Sequence, residues 1–189
     1  SANLHCRTRS PGLKLTSMTV TVRRAGSGDA PALALVGAAT FLESYAGVID
    51  GAALMAHCAQ KQTEAVYAAA LADDAQALWL AEIAPGAAPA GYLHLAKPDL
   101  PVTTGPDDLE IKRIYVLDKL QGTGLGAQLL SDCEAEARRR AAPRLLLGVY
   151  KGNTKALGFY ARAGFSRCGE RQFDVGGVCY DDWVLEKAL

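Results

Sequence analysis

An α/β (α+β) domain over residues 18–189 is what this sequence predicts, and three observations predict it. Segments with the two-residue alternation of strands are interspersed with segments of helical spacing. No internal repeat or low-complexity linker divides them. The 189 residues suffice for one sizeable core but not for two large domains. Half of the residues are hydrophobic, 21% are charged, and 20 Lys+Arg balance 20 Asp+Glu. That is a globular composition, and its charge balance argues against a global nucleic-acid or membrane-surface binder. The longest uncharged runs, 30–42 and 83–96, fall short of the ~18 apolar residues that cross a bilayer. No transmembrane helix is expected.

The five cysteines, Cys6, Cys58, Cys133, Cys168 and Cys179, are odd in number and widely spaced, with no C-x-x-C pair. Neither a disulfide framework nor a metal site is expected. Residues 1–17 carry Arg7, Arg9 and Lys14 but lack the apolar stretch of a signal peptide. They read as a flexible leader or non-native extension before a start at Met18, and the body as cytoplasmic, with a mitochondrial-type leader as the alternative.

Thr19 to Arg23 alternates like a half-buried strand, and Asp29 stands as a helix N-cap before Pro31. That helix is expected to reach Tyr45, stopped by Gly47, with two Ala-rich helices following over 52–60 and 63–72. Residues 77–83 and 91–95 read as a hairpin whose turn runs from Pro85 to Pro89, and 108–116 as the next strand. Leu125, Leu129, Leu130, Cys133 and Ala137 recur at helical spacing before Arg138, Arg139 and Arg140, cations that suit a helix C-terminus. A strand over 144–150, a helix over 153–163 closed by Gly164, and a hairpin of 165–175 with 178–186 across Gly176-Gly177 complete the chain.

The most informative stretch runs from Ile114 to Gly126, with Gly122, Gly124 and Gly126 between a strand and a helix. Alternate glycines let backbone N–H groups converge at a helix N-terminus, where a phosphate or pyrophosphate can sit without a lysine. No Gly-Lys-Ser/Thr follows, which excludes a nucleoside-triphosphatase loop. Gly122-x-Gly124-x-x-Ala127 fits a relaxed dinucleotide fingerprint, but the next strand leads to Lys151 rather than to an acidic residue. A nucleotide-binding protein and a ligand-free turn remain alternatives. Some thirty residues on, Asn153, Ala156 and Tyr160 share a helical face, with Phe159 beside them. The same pattern also describes an N-cap asparagine with aromatic residues packed in the core.

Together the two segments resemble the acetyl-CoA-binding core of the GNAT superfamily of N-acetyltransferases. The resemblance spans about 18–189, is strongest over 108–165, and implies a mixed central sheet of about seven strands flanked by helices. It implies that Gln121, Gly122, Thr123, Gly124, Leu125 and Gly126 grip the pyrophosphate of acetyl-CoA. It further implies that Ile114, Tyr115 and Val116 line the pantetheine arm and thioester. Asn153, Ala156, Phe159 and Tyr160 fall to the same cofactor site, Tyr160 also as general acid. A narrower likeness is to PaiA-type polyamine acetyltransferases. It is carried by 110–117, by Leu147-Gly148-Val149-Tyr150, and by Thr40-Phe41 with Tyr45, while 178–185 departs from it.

Acetyl transfer needs a neutral amine, yet alkyl amines have pKa ~10 and arrive protonated at neutral pH. Glu110 is the favoured base, with His94, Asp182 or water as alternatives. Each of these residues also has an ordinary structural reading as a solvated or satisfied polar side chain. The expected acceptor is a small-molecule primary amine, first a polyamine such as spermidine, whose groove Glu43, Asp50, Glu110, Asp181 and Asp182 could line. Peptide or protein amines, an aminoglycoside-like antibiotic and a non-catalytic acyl-CoA-binding module are the alternatives. A homodimer is left open by the resemblance.

Overall fold

The computed structural model describes residues 19–189. The expected leader, the start at Met18 and Cys6 lie outside the described residues. Strand β1 (Val20–Arg24) is followed by helices α1 (Ala30–Tyr45), α2 (Gly51–Lys61) and α3 (Glu64–Leu71). Strands β2 (Ala77–Ile83), β3 (Ala88–Ala96) and β4 (Leu109–Val116) then lead to α4 (Leu125–Arg139). Strand β5 (Arg144–Tyr150), helix α5 (Thr154–Arg162) and the hairpin of β6 (Ser166–Val175) with β7 (Val178–Ala188) follow. Every expected element over 19–189 is present, with ends displaced by a few residues.

The seven strands form one mixed sheet in the order β1-β2-β3-β4-β5-β7-β6. Neighbours are antiparallel except β4 and β5, which run parallel across the α4 connection. Strand alternation sorts the core into two layers. On one face Leu78, Leu80 and Tyr92 pack with Leu33, Val36 and Tyr67 of α1 and α3. On the other face Trp79, Leu93, Leu95, Leu145 and Leu147 pack with Leu129, Leu130, Cys133 and Ala137 of α4. The ends of α1 and α2 meet the β6–β7 hairpin through Phe41, Ile49, Leu54 and Val175. Gly176 and Gly177 take φ of 65° and 85°, the left-handed pair that a two-residue hairpin turn requires. Among the described residues no helix is long and apolar enough to cross a membrane.

Two local expectations change. Asp29 occupies the N-cap of α1 without capping it by its side chain. A 3-10 turn over Ser27–Asp29 precedes the helix and turns the carboxylate back, where it accepts from the Gly26 N–H at 2.7 Å and from Arg23 at 2.7 and 2.8 Å. The expected turn over 85–89 is also shorter, because β3 begins at Ala88 and includes Pro89. Proline fits there because the β2–β3 register shifts beside it, between Ala81 and Glu82, and β4 reaches back only to Gly91.

Ion pairs tie the surface of this fold to pH. Hydrogen bonds from Arg23 hold Asp29 at about 2, against an ordinary 3.8. Those from Arg139 and then Arg140, opposed by burial, hold Glu136 at about 2, against 4.5. Folded values below the unfolded ones mean that these contributions are complete above the unfolded values and fade as the pH falls toward 2. The urea midpoint should therefore decline between about pH 5 and pH 2, and Glu136→Gln should flatten part of that decline. An identical slope in the variant would remove Glu136 from the account.

Candidate active site

Strands β4 and β5 share only two register pairs, Leu109 with Leu145 and Glu110 with Leu146. Beyond them the strands part, and the β5-facing backbone edge of 111–116 has no strand partner among the described residues. A cleft of about 1250 Å³ opens at this divergence. It brings together Glu110, Ile114, Tyr115 and Val116 of β4, Gln121, Gly122, Gly124 and Gly126 of the loop, and Asn153, Ala156, Phe159 and Tyr160. Thr123 and Leu125 do not line it. The Thr123 hydroxyl donates to the Leu120 carbonyl at 2.7 Å, and Leu125 is buried against Leu120, Ala81 and Ala90.

After β4 the chain makes a 3-10 turn over Asp118–Leu120 and reaches Gly122 and Gly124 with φ of 79° and 92°. A Cβ at either position would meet nothing within 4 Å, so backbone conformation rather than crowding calls for glycine. Gly124 is the N-cap of α4 and supplies no side-chain cap. Among the described residues no acceptor serves the N–H groups of Gly122, Gly124, Leu125 or Gly126. Unpaired donors at the positive end of a 15-residue helix make a fitting cradle for a pyrophosphate.

On the opposite wall, Asn153 N-caps α5, its Oδ1 accepting from the Ala156 N–H at 3.0 Å. Its amide nitrogen is left for other partners. Tyr160 is 7% exposed, set edge-on to Phe159 and Phe165 at centroid distances of 5.2 and 5.6 Å. Burial first, and Tyr45 after it, push the phenol above its ordinary value of 10, so it stays protonated at neutral pH. The packed-core and the cleft-lining descriptions of this tyrosine therefore both hold.

The three base candidates all line the cleft and none is a solvated carboxylate or imidazole. Glu110 is 2% exposed, and its Oε2 accepts from the Asp99 N–H at 2.7 Å and from Lys112 Nζ at 2.6 Å. Its Oε1 takes no hydrogen bond from the described residues. His94 places Nε2 2.6 Å from Gln76 Oε1, while its Nδ1 is buried without a partner. Burial, then Arg113 and Lys112, lower its pKa to about 4; the ring is neutral at neutral pH. Asp182 accepts from Arg171 Nε at 2.9 Å; burial raises its pKa and Arg171 opposes the rise.

Several contacts in the cleft have no signal at the level of spacing. The Tyr45 and Tyr115 hydroxyls lie 3.4 Å apart, joining α1 to β4. His57 of α2 stacks on Phe41 at 4.2 Å and meets Phe173 of β6 edge-on at 6.0 Å, which makes an aromatic wall from three distant segments. The Arg171 guanidinium lies over Gly148, where a Cβ would sit 2.4 Å from its central carbon. Each of these contacts depends on a strand register or a helix docking that no short window of sequence contains.

Comparison with known proteins fits this geometry. Residues 48–165 match the model of the acetyltransferase (GNAT) family. An uncharacterized N-acetyltransferase from Lactobacillus delbrueckii subsp. lactis is 40% identical over 101 residues, which cover 53% of this chain and 58% of that relative. The matched chain thus spans little more than half the length of the relative. The structure of the PaiA N-acetyltransferase of Thermoplasma acidophilum, in complex with coenzyme A, superposes with a TM-score of 0.73 at 18% identity, covering 91% of this chain and all (100%) of the other. A ribosomal-protein-alanine N-acetyltransferase from Brucella melitensis gives 0.64 at 22% identity, covering 89% and 99%. At these identities the likeness is one of fold, shared by proteins named for different acceptors. With the family model spanning most of the described chain and the glycine loop, parted strands and tyrosine in place, the protein belongs to the acetyltransferase (GNAT) family.

Proposed function

We propose that the protein is an N-acetyltransferase that moves the acetyl group of acetyl-CoA directly onto the primary amine of a small molecule. One observation carries this reading. Unpaired N–H donors at the start of α4 and a buried, protonated Tyr160 line one cleft, beside a strand edge left open for an extended ligand. Bound acetyl-CoA supplies a thioester whose acyl carbon accepts the amine nitrogen, with the C–N bond forming as the C–S bond breaks. Gly122, Gly124 and Gly126 hold the pyrophosphate, and the open edge of Ile114 to Val116 pairs with the arm. Tyr160 gives its hydroxyl proton to the departing sulfur, whose conjugate acid has a pKa near ~8.5. Glu110 receives the amine proton at Oε1, directly or through water. The His94 Nε2 is taken up by Gln76 and its Nδ1 is buried, while Asp182, engaged by Arg171 through one oxygen, is the alternative base.

For the acceptor, a polyamine is the finer reading, and it rests on the PaiA-type likeness. The charges of the cleft add little to it. Glu43 accepts from the Asp118 N–H, Asp50 caps α2, Glu110 pairs with Lys112 and Asp182 with Arg171, and Asp181 is exposed on β7. Product mass spectrometry after incubation with acetyl-CoA and a pool of polyamines, amino acids, peptides and aminoglycosides tests both levels. An acetylated member supports the transferase and names its acceptor class; acetylated spermidine or spermine selects the polyamine. Saturable acetyl-CoA binding with no product from any class favours the binding-module alternative.

A further inference from the structure

Two cations of the cleft pair with its acids, Lys112 with Glu110 and Arg171 with Asp182, whereas Arg113, on the strand of the proposed base, does not. The register of β3 with β4 slips between His94 and Leu95: Arg113 faces His94, Ile111 faces Leu95, and Lys112 faces no residue. An extra residue in one strand interrupts the alternation of side chains. Lys112 and Arg113 consequently turn to the same side of the sheet, toward Glu110 and the α3 residue Tyr67 respectively. Glu110 meets the Lys112 charge at 2.6 Å. Arg113 has only a long hydrogen bond from Nη1 to the Tyr67 hydroxyl, 3.4 Å, and the face of that ring 5.7 Å away. No carboxylate among the described residues pairs with it.

Lys61, in the last turn of α2, lines the same cleft and also lacks an ion pair among the described residues. His57, held against Phe41 and Phe173, lines the cleft with them. Its pKa is lowered first by burial and then by Arg113 and Lys61, the mark of a local positive field. A half-buried guanidinium without a counter-charge is costly, and it repels an incoming ammonium. A ligand that brings its own anion removes both penalties.

We infer that the acceptor is a zwitterionic small amine, whose anionic group is taken by Arg113 and Lys61 beside the His57 ring while its amine faces Glu110. The inference rests on the proposed N-acetyltransferase reading and puts a zwitterion in place of the polyamine as its acceptor. The anion is a carboxylate or a phosphonate, both of which present oxygens to a guanidinium fork. About 10 Å of strand separates Glu110 from Arg113, a span that the two side chains and a small zwitterion bridge. Arg113 thus sets specificity, and Glu110 receives the proton.

The test is ligand-observed NMR on the CoA-loaded protein with matched pairs: histidine and histamine, tryptophan and tryptamine, 2-aminoethylphosphonate and ethylamine, with spermidine and an amidated dipeptide alongside. The anionic member of at least one pair should bind about tenfold tighter than its neutral-tailed partner, and Arg113→Gln should abolish that preference. The phosphonate pair against the two carboxylate pairs distinguishes the anion. Should Arg113→Gln fail to fold, Lys61→Gln, at an exposed position, should reduce the preference at least threefold or so. Equal or tighter binding of the uncharged-tail amines, spermidine or the amidated dipeptide overturns the inference. So does the absence of binding by any anionic member at about 10 mM, or a preference untouched in both variants. Acetylated product, followed by mass in parallel samples with acetyl-CoA, reports separately on the transferase. Anion-dependent binding without product would defeat that activity and leave the anion subsite standing.

Discussion

Tyr160→Phe should lower kcat for acetyl transfer by about ten- to a thousandfold while leaving acetyl-CoA affinity within about twofold. The departing sulfur must collect a proton as the C–S bond breaks, and a thiolate leaves poorly into a cleft walled by Phe159 and the core. Burial keeps the Tyr160 hydroxyl protonated, and no described residue competes for it. The ring packs with Phe159 and Phe165, and phenylalanine preserves that packing. The melting temperature should therefore stay in place while the rate falls, separating a chemical role from a structural one. Tyr45, whose hydroxyl meets that of Tyr115 at 3.4 Å, is another phenol of the cleft, and Tyr45→Phe serves as the comparison. Full kcat in Tyr160→Phe, read by single-turnover product formation, rules out the proposed acid.

Gly124→Leu should raise the Kd for acetyl-CoA by about ten- to a hundredfold with a smaller change in kcat at saturation. At φ of 92° an L side chain is strained by ~1–2 kcal/mol, which the chain relieves by moving φ and rotating the N–H groups away from their common focus. The Cβ of that leucine meets nothing within 4 Å, so the loss belongs to backbone alignment and to the room the cradle leaves for the cofactor. Gly28→Ala, at a glycine with open space and no left-handed φ, is the folding control. Calorimetric titration with acetyl-CoA decides: unchanged affinity in Gly124→Leu would detach the glycine loop from the cofactor.

Those two variants rest on features that were legible before any coordinates. The stripe Leu125, Leu129, Leu130, Cys133 and Ala137 is buried along α4 in every member, because helical periodicity is a property of the chain's own geometry. The positive φ of Gly122, Gly124, Gly164, Gly176 and Gly177 likewise follows from residues that alone adopt it without strain. Residues 77–83, read as a strand, form one, with Ala77 and Trp79 packed on one face and Leu78 and Leu80 on the other. Asn153 shows the limit: spacing alone sets its cap of α5 against its place in the cleft, and the fold makes the two compatible, one oxygen for the helix and one nitrogen left over.

Periodicity, turn chemistry and the run from Ile114 to Gly126 by themselves determined the element order, the layered α/β architecture and the cradle at the start of α4. These are local quantities, set within a few residues by backbone sterics and side-chain spacing. Only the tertiary structure decided what faces what. The extra residue at Lys112 that leaves Arg113 without a carboxylate, the pairing of Arg171 with Asp182 across β6 and β7, and the wall of Phe41, His57 and Phe173 join segments far apart in the chain. Burial then set the protonation of Tyr160 and His94. Register and desolvation are properties of the assembled sheet, arising when distant strands exclude water together, and no window of sequence contains them.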